Sequence, residues 1–290
     1  MIREKKFEDA TSLWAELTDI QMNSDPHDEI IWRGHANAKW DLIPTVLRPQ
    51  FIIKIEKSFG KSLTTVDQVW AEFVMLQGFV NSCDMAGAPI PNDSVKFRES
   101  YLQRESLLEY NSTNIRKWPK IELFEVMALA QLHGLPTRFL DWTANPYRAV
   151  CFAVSQALSE KKWKSEQEVA IFAFNKGPYR NSYCGEIRIL HVGGSVSKNV
   201  VNQQGLFTIH PVLKEEKDPL VVESLETYLP DGHEIQKLTV PVSECVNLHE
   251  LCFKFGFSVA QLFPTADGAS MQVMQEISAI LARQRITNRQ

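Results

Sequence analysis

The feature that most constrains this chain is a stretch of nearly seventy residues, about 65–133, whose apolar positions recur at helical rather than strand spacing. Val66, Val69, Trp70, Phe73, Val74 and Leu76 set one pattern. Residues 95–110 set a second, more polar one, and residues 121–133 a third, with Leu123, Phe124, Val126, Met127 and Leu129. A loop at 84–94, with two prolines and a glycine, parts the first two. Gly134 is placed to cap the last helix, and Pro136 bars its continuation. Before this block lies one short run of β-formers, Glu29-Ile30-Ile31-Trp32-Arg33. After it come strand-like runs at 137–142, 169–174, 186–190, 206–210 and 235–242. A helical block set between sheet elements departs from regular βαβ alternation and predicts an α+β fold.

The remaining elements follow from periodicity and breakers. Phe7, Ala10, Leu13, Trp14, Leu17 and Ile20 predict a helix over about 7–22, ended by Asn23-Ser24-Asp25-Pro26. Residues 40–48 contain Pro44 and read as a loop or edge strand. Asn145 followed by Pro146 is a helix start, and Ala149, Val150, Phe152, Ala153, Gln156 and Ala157 continue it as a buried helix. Two C-terminal helices are predicted near 243–255 and 268–284.

Composition excludes several classes. With 290 residues, 44% hydrophobic and 23% charged, the chain is long enough and apolar enough for a large core. A net charge of -4 does not mark the whole chain as a polyanion binder. Cys83, Cys151, Cys184, Cys245 and Cys252 form no C-x-x-C pair, no metal spacing and no disulfide framework, which predicts the reduced thiols of a cytoplasmic protein. The N-terminus lacks the apolar core of a signal peptide, and no run approaches a membrane span. Neither Gly-rich phosphate motif occurs, and Gly193-Gly194 reads as a flexible loop.

Three segments carry groups fit for chemistry. In Trp32-Arg33-Gly34-His35 an arginine at a strand end offers a planar cationic fork, and the glycine lets backbone approach a ligand; the alternative is a structural ion pair beside a turn glycine. Gln131 to Thr143 holds His133, Arg138, Asp141 and Thr143. Strand alternation puts Asp141 and Thr143 on one face and sends Trp142 into the core. These groups either floor a polar pocket or cap the next helix, and His133 either binds or ends a helix near its negative pole. In Asn202-Gln203-Gln204-Gly205 adjacent amides can bind a sugar or base edge, or cap a turn.

The run from Gln131 to Ala153, with His133-Gly134-Leu135-Pro136-Thr137-Arg138-Phe139-Leu140-Asp141-Trp142-Thr143 at its centre, resembles the signature of the FRG domain family. Trp32-Arg33-Gly34 with Trp40 and Leu42 is similar to its opening motif. Gln203-Gln204-Gly205-Leu206-Phe207 and Leu262-Phe263-Pro264 are similar to later ones. The resemblance implies an N-terminal helix at 1–24, an FRG domain over 25–270 with the helical insertion at about 65–133, and a C-terminal helix at 271–290. The chain departs from the family pattern at Leu132, where a second histidine is common, and at Asn199, where an arginine is.

A weaker similarity is to arginine-type ADP-ribosyltransferases. Arg33-Gly34 stands for their strand-end arginine, Asp141-Trp142-Thr143 for a Ser-Thr-Ser strand, and Ala149, Phe152 and Ala153 for the helix after it. Gln203-Gln204 falls where the catalytic glutamate strand would begin. This likeness implies a central, split, mostly antiparallel sheet with an inserted helical block and C-terminal helices. It implies NAD as cofactor, with Arg33, Asp141 and Gln204 catalytic and Arg33, Gly34, His133, Arg138, Thr143 and Gln203 holding the cofactor. No metal enters. A glutamine cannot supply the negative charge a glutamate gives an oxocarbenium-like ribose, so Asp141 would have to supply it. The functions implied are ADP-ribosyl transfer or NAD cleavage on a protein or nucleic-acid acceptor, as a bacterial defence or toxin effector. The other candidate is an inert nucleotide- or nucleic-acid-binding module. Either way, Arg33 and Asp141 should lie within about 6 Å of each other, the reach of one bridging water.

Overall fold

Strand alternation decides which layer each residue of the sheet joins. The computed structural model describes the chain apart from residues 26–27, 106–117, 161–162, 164–165, 180–185, 195–197, 211–219 and 288–290. The end of the helix predicted at 95–110, and Cys184, lie outside the described residues. The strands are β1 (Ile2–Lys6), β2 (Ile30–His35), β3 (Leu140–Thr143), β4 (Glu168–Asn175), β5 (Arg188–Leu190), β6 (Gly205–Ile209) and β7 (Ile235–Pro241). The helices are α1 (Ala10–Asn23), α2 (Pro49–Phe59), α3 (Thr65–Ala86), α4 (Val95–Tyr101), α5 (Phe124–Leu132), α6 (Pro146–Ser159), α7 (Lys198–Gln203), α8 (Cys245–Lys254), α9 (Val259–Leu262) and α10 (Ala266–Thr287).

The seven strands form one sheet in the order β1-β7-β4-β2-β3-β6-β5, antiparallel at every pairing but β1 with β7. Trp32, Val169, Ile171, Ala173, Leu238 and Val240 face one way, into a layer built from α1, α6, α8, α9 and α10. Ile31, Ala170, Phe172, Phe174, Leu140 and Trp142 face the other way. Phe139, Phe207 and Ile209 alternate with Leu140 and Leu206 onto the opposite face, the one Trp32 and Thr143 share, and join the core of the helical block α3, α4 and α5. The mixed α+β class and the mostly antiparallel sheet match the sequence reading. The expected central split gives way to one continuous sheet, in which β2 runs beside β4 from Ile30 to His35 and meets β3 where Trp32 faces Thr143.

Capping chemistry explains several boundaries. Thr64 and Asp67 form a capping box at the start of α3, which ends at Gly87 with φ +65°. Asn145 Oδ1 accepts from the backbone N–H groups of Tyr147 and Arg148, and Pro146 opens α6. After α5, Gly134 adopts φ +91°, as its sequence position predicts.

The N-terminal region, read as a helix from about residue 7, begins instead with β1, and its helix starts at Ala10 behind an Asp9 cap. Residues 40–48 form no strand; a 3-10 turn at Thr45–Leu47 leads into α2, a helix not among those expected from the sequence although Phe51, Ile52, Ile55 and Phe59 repeat at helical spacing. Among the described residues, no helix is long and apolar enough to cross a membrane.

Candidate functional site

Where β2 and β3 diverge, backbone groups lose their sheet partners, and a side chain crosses the gap. Arg33 Nη1 donates to the backbone carbonyl of Asp141 at 2.6 Å and stands 3.7 Å from its Oδ2. Arg33 and Asp141 therefore lie together, as the sequence implied. Arg33 Nε donates to His35 Nε2 at 2.9 Å. That nitrogen must then be unprotonated, so Nδ1 carries the hydrogen and donates to the Trp40 carbonyl at 3.2 Å. Burial, with the charges of Arg33 and Arg48, pushes the His35 pKa well below the ordinary histidine value. A neutral histidine thus fixes the guanidinium. Arg33 Nη2 has no partner among the described residues.

Desolvation lowers the Arg33 pKa to about 10; Asp141 works against that fall and Arg48 adds to it, so Arg33 is a cation at neutral pH. Arg48 is lowered by burial and raised by Asp141. Its Nε donates to the Ile43 carbonyl at 3.1 Å, and its two terminal nitrogens have no partner among the described residues. Arg48 makes no hydrogen bond or ion pair with Asp141 and is not among the residues lining the cleft, but it lies near enough for the two charges to attract.

The gap opens into a cleft of about 580 Å³. The end of α5 and the turn after it supply one wall, through Gln131, Leu132, Gly134, Leu135 and Pro136; Phe152, Ser155 and Ser159 of α6 supply another. Phe263 and Met271 close one side, and Phe152 and Phe263 meet edge to face at 6.2 Å. Gln131 organises its wall: its Nε2 donates to Asp141 Oδ1 at 2.7 Å and its Oε1 accepts from Thr137 Oγ1. Trp32 belongs to the lining and is fully buried, and its indole N–H has no acceptor among the described residues.

The remaining residues singled out from the sequence fare unequally. Thr143 lines the cleft, but its hydroxyl donates to the Gln203 carbonyl at 2.6 Å and accepts from the Asn145 N–H, so it acts locally. Gln203 also lines the cleft, and its amide reaches the Leu262 carbonyl at 3.4 Å. Gln204 is exposed, takes φ +47° in the turn into β6, and is absent from the lining. His133 is exposed at the α5 terminus and likewise outside the lining. Trp142 is buried and donates to Thr208 Oγ1 at 2.9 Å, as alternation predicts.

Two residues are corrected. Gly34 does border the cleft, but a Cβ there would sit 2.0 Å from the Ala149 carbonyl oxygen and 2.9 Å from Ala153 Cβ. The glycine lets α6 press onto β2, a packing role rather than a path for ligand. Arg138 is 1% exposed and grips Glu72 at 2.9 and 2.5 Å, while Gln68 and Trp118 also donate to Glu72 at 2.9 Å each. It is closed inside the core and cannot hold a cofactor.

Reasoning from sequence missed Arg48, Gln131 and the positioning role of His35. Arg48 did carry a signal: it precedes Pro49, which holds it in extended backbone at the mouth of α2.

Residues 28–162 match the family model of the FRG domain. The match takes in both Trp32-Arg33-Gly34 and the run Gln131 to Ala153, and supports the FRG family for this part of the chain. Gln203 to Phe207 and Leu262 to Pro264 lie beyond it. No curated protein and no solved structure matches the chain. The ADP-ribosyltransferase likeness therefore rests on motif order alone.

Proposed function

We propose that the protein binds a phosphate-bearing nucleotide in the Arg33–Asp141 cleft, with NAD the leading candidate. The observation that carries this reading is a cation in the lining that keeps a terminal nitrogen without a partner among the described residues, Arg33, with a second, Arg48, behind the lining and also with free terminal nitrogens among the described residues. Phosphate oxygens suit such forks, and partial burial strengthens the attraction. The volume, about 580 Å³, falls within the roughly 300–1,000 Å³ of small-ligand pockets. Phe152 and Phe263 offer an apolar wall for a ring, and a ligand acceptor reaching the Trp32 indole would satisfy it.

A second reading adds ADP-ribosyl transfer or NAD hydrolysis. It is favoured by Asp141, the one carboxylate among the described lining residues, whose side chain is 56% exposed. Its charge would stabilise the ribosyl cation as the bond from ribose C1′ to nicotinamide breaks and a bond to water or an acceptor forms. A protein that consumed NAD or modified a protein or nucleic acid in this way would suit a defence or toxin effector. Isothermal calorimetry with NAD, ADP-ribose, ADP and nicotinamide tests the first reading. Binding of the three phosphate compounds but not nicotinamide is the expected result; no heat with any of them at millimolar concentration overturns it. Release of labelled nicotinamide from NAD, lost in Asp141→Asn with ADP-ribose binding retained, separates enzyme from binder.

A further inference from the structure

The C-terminal helix α10 is amphipathic the wrong way round. Its residues turned into the protein are Gly268, Gln272, Gln275, Ala279 and Ala282, at spacings of three and four, and they are small or polar. Its exposed residues include Val273, Met274, Ile277, Ile280 and Leu281, each 45–61% exposed. A helix that served only its own domain would bury the second set and expose the first. The inward face shows the cost: the Gln275 Oε1 is buried without a partner among the described residues. Beside the exposed stripe, a groove of about 860 Å³ runs between α8 and α10; Val246, Phe253 and Ile280 line it together with charged residues that include Glu250, Glu276 and Arg283, and Phe253 is 62% exposed.

We infer that this face is the contact between two copies of the chain, with α10 packed antiparallel on its counterpart about a two-fold axis near Ile277. Self-complementarity argues for a second copy. With the axis at Ile277, Val273 of one helix opposes Leu281 of the other and Met274 opposes Ile280, so every apolar position meets an apolar partner. The helix carries Asp267 in its first turn and Arg285 in its last. An antiparallel pair brings unlike ends and opposed helix dipoles together, whereas a parallel pair would set like beside like. The area also suffices. The stripe and Phe253 together expose on the order of 700 Å², close to the roughly 800 Å² each partner contributes to a standard stable interface. Phe253, at the edge of the groove, would anchor the contact as large aromatics do.

Sedimentation velocity on the full chain should give a dimer at micromolar concentration, and Ile277→Glu with Ile280→Glu should give a monomer. Both positions are exposed, so the variant keeps its circular dichroism and melts with little loss beyond that due to dissociation. The axis is tested by cysteine cross-linking against the wild-type background. Ile277→Cys should form an intermolecular disulfide under mild oxidation, and Val273→Cys should cross-link only when mixed with Leu281→Cys. Cross-linking of Val273→Cys with itself would mean a parallel pair and overturn the arrangement. A wild-type chain that stays monomeric at about 100 µM, or a double variant that stays dimeric, would overturn the interface itself. Binding of the monomeric wild type to vesicles or to an added protein would assign the face to that other occupant instead.

Discussion

Two arginines picked out by the same sequence reasoning have opposite environments. Arg138 is enclosed with Glu72, and Gln68 and Trp118 complete the carboxylate's hydrogen bonds. Arg33 lies at the seam where β2 and β3 part, held by a neutral histidine and a backbone carbonyl, with a carboxylate 3.7 Å away. The first has its charge spent inside the fold. The second is positioned by two neutral acceptors, shares its charge only with a half-exposed carboxylate, and keeps a nitrogen without a partner among the described residues. An arginine marks a binding site when neutral groups orient it, and a structural core when a buried carboxylate consumes it.

The sharpest way to break that contrast is Arg138→Ala. It leaves Glu72 buried without its counter-charge and should cost about 3–5 kcal/mol in a urea melt. A loss below about 1 kcal/mol would mean that the pair is not what closes the core around Glu72. Gly34→Ala comes next. The new methyl meets a backbone carbonyl, so α6 must move, and a cost of about 1–3 kcal/mol is expected by the same assay. A neutral outcome would return Gly34 to the ligand-facing role.

His35 gives the contrast a pH signature. In the unfolded chain its ring gains a proton as pH falls through 6.5, while in the fold it stays neutral well below that. The unfolded state then binds more protons. The His35 contribution is complete above pH 6.5 and is lost as pH drops, by up to about 1.4 kcal/mol per unit. Melting of wild type and His35→Gln at pH 7.5 and 5.5 should show the smaller acid loss in the variant; equal losses would mean that His35 protonates freely. The smallest effect is expected at Gln204. Gln204→Gly relieves a left-handed backbone and should stabilise by about 0.5–1 kcal/mol without changing ligand affinity. Lost affinity would restore Gln204 to the site.

What could be read from sequence was what is local. The alternation in β4, the Asn145-Pro146 start and the Gly134 stop are written within a few residues each. β1 was illegible because only Ile2 is even partly buried; its strand character comes from pairing with β7, more than 200 residues away. α2 was legible and went unread: Phe51, Ile52, Ile55 and Phe59 repeat at helical spacing and are half-buried. The two arginines could not be told apart because the difference lies in distant partners: Glu72 is 66 positions from Arg138. Arg33 and Asp141 could be paired in advance because the motif order similar to arginine-type ADP-ribosyltransferases put both at the ends of adjacent strands.

The most direct test of the cleft is calorimetric titration of ADP-ribose into wild type, Arg33→Ala and Arg48→Ala, each first shown to melt as a folded protein. Arg33→Ala should keep its fold, at a cost of about 1–2 kcal/mol, because its two hydrogen-bond acceptors are neutral and the Asp141 carboxylate left behind is 56% exposed and still held by Gln131. The account predicts that wild type binds and that each substitution weakens binding at least tenfold. Undiminished binding in both folded variants would contradict it and leave Arg33 a structural residue of the seam.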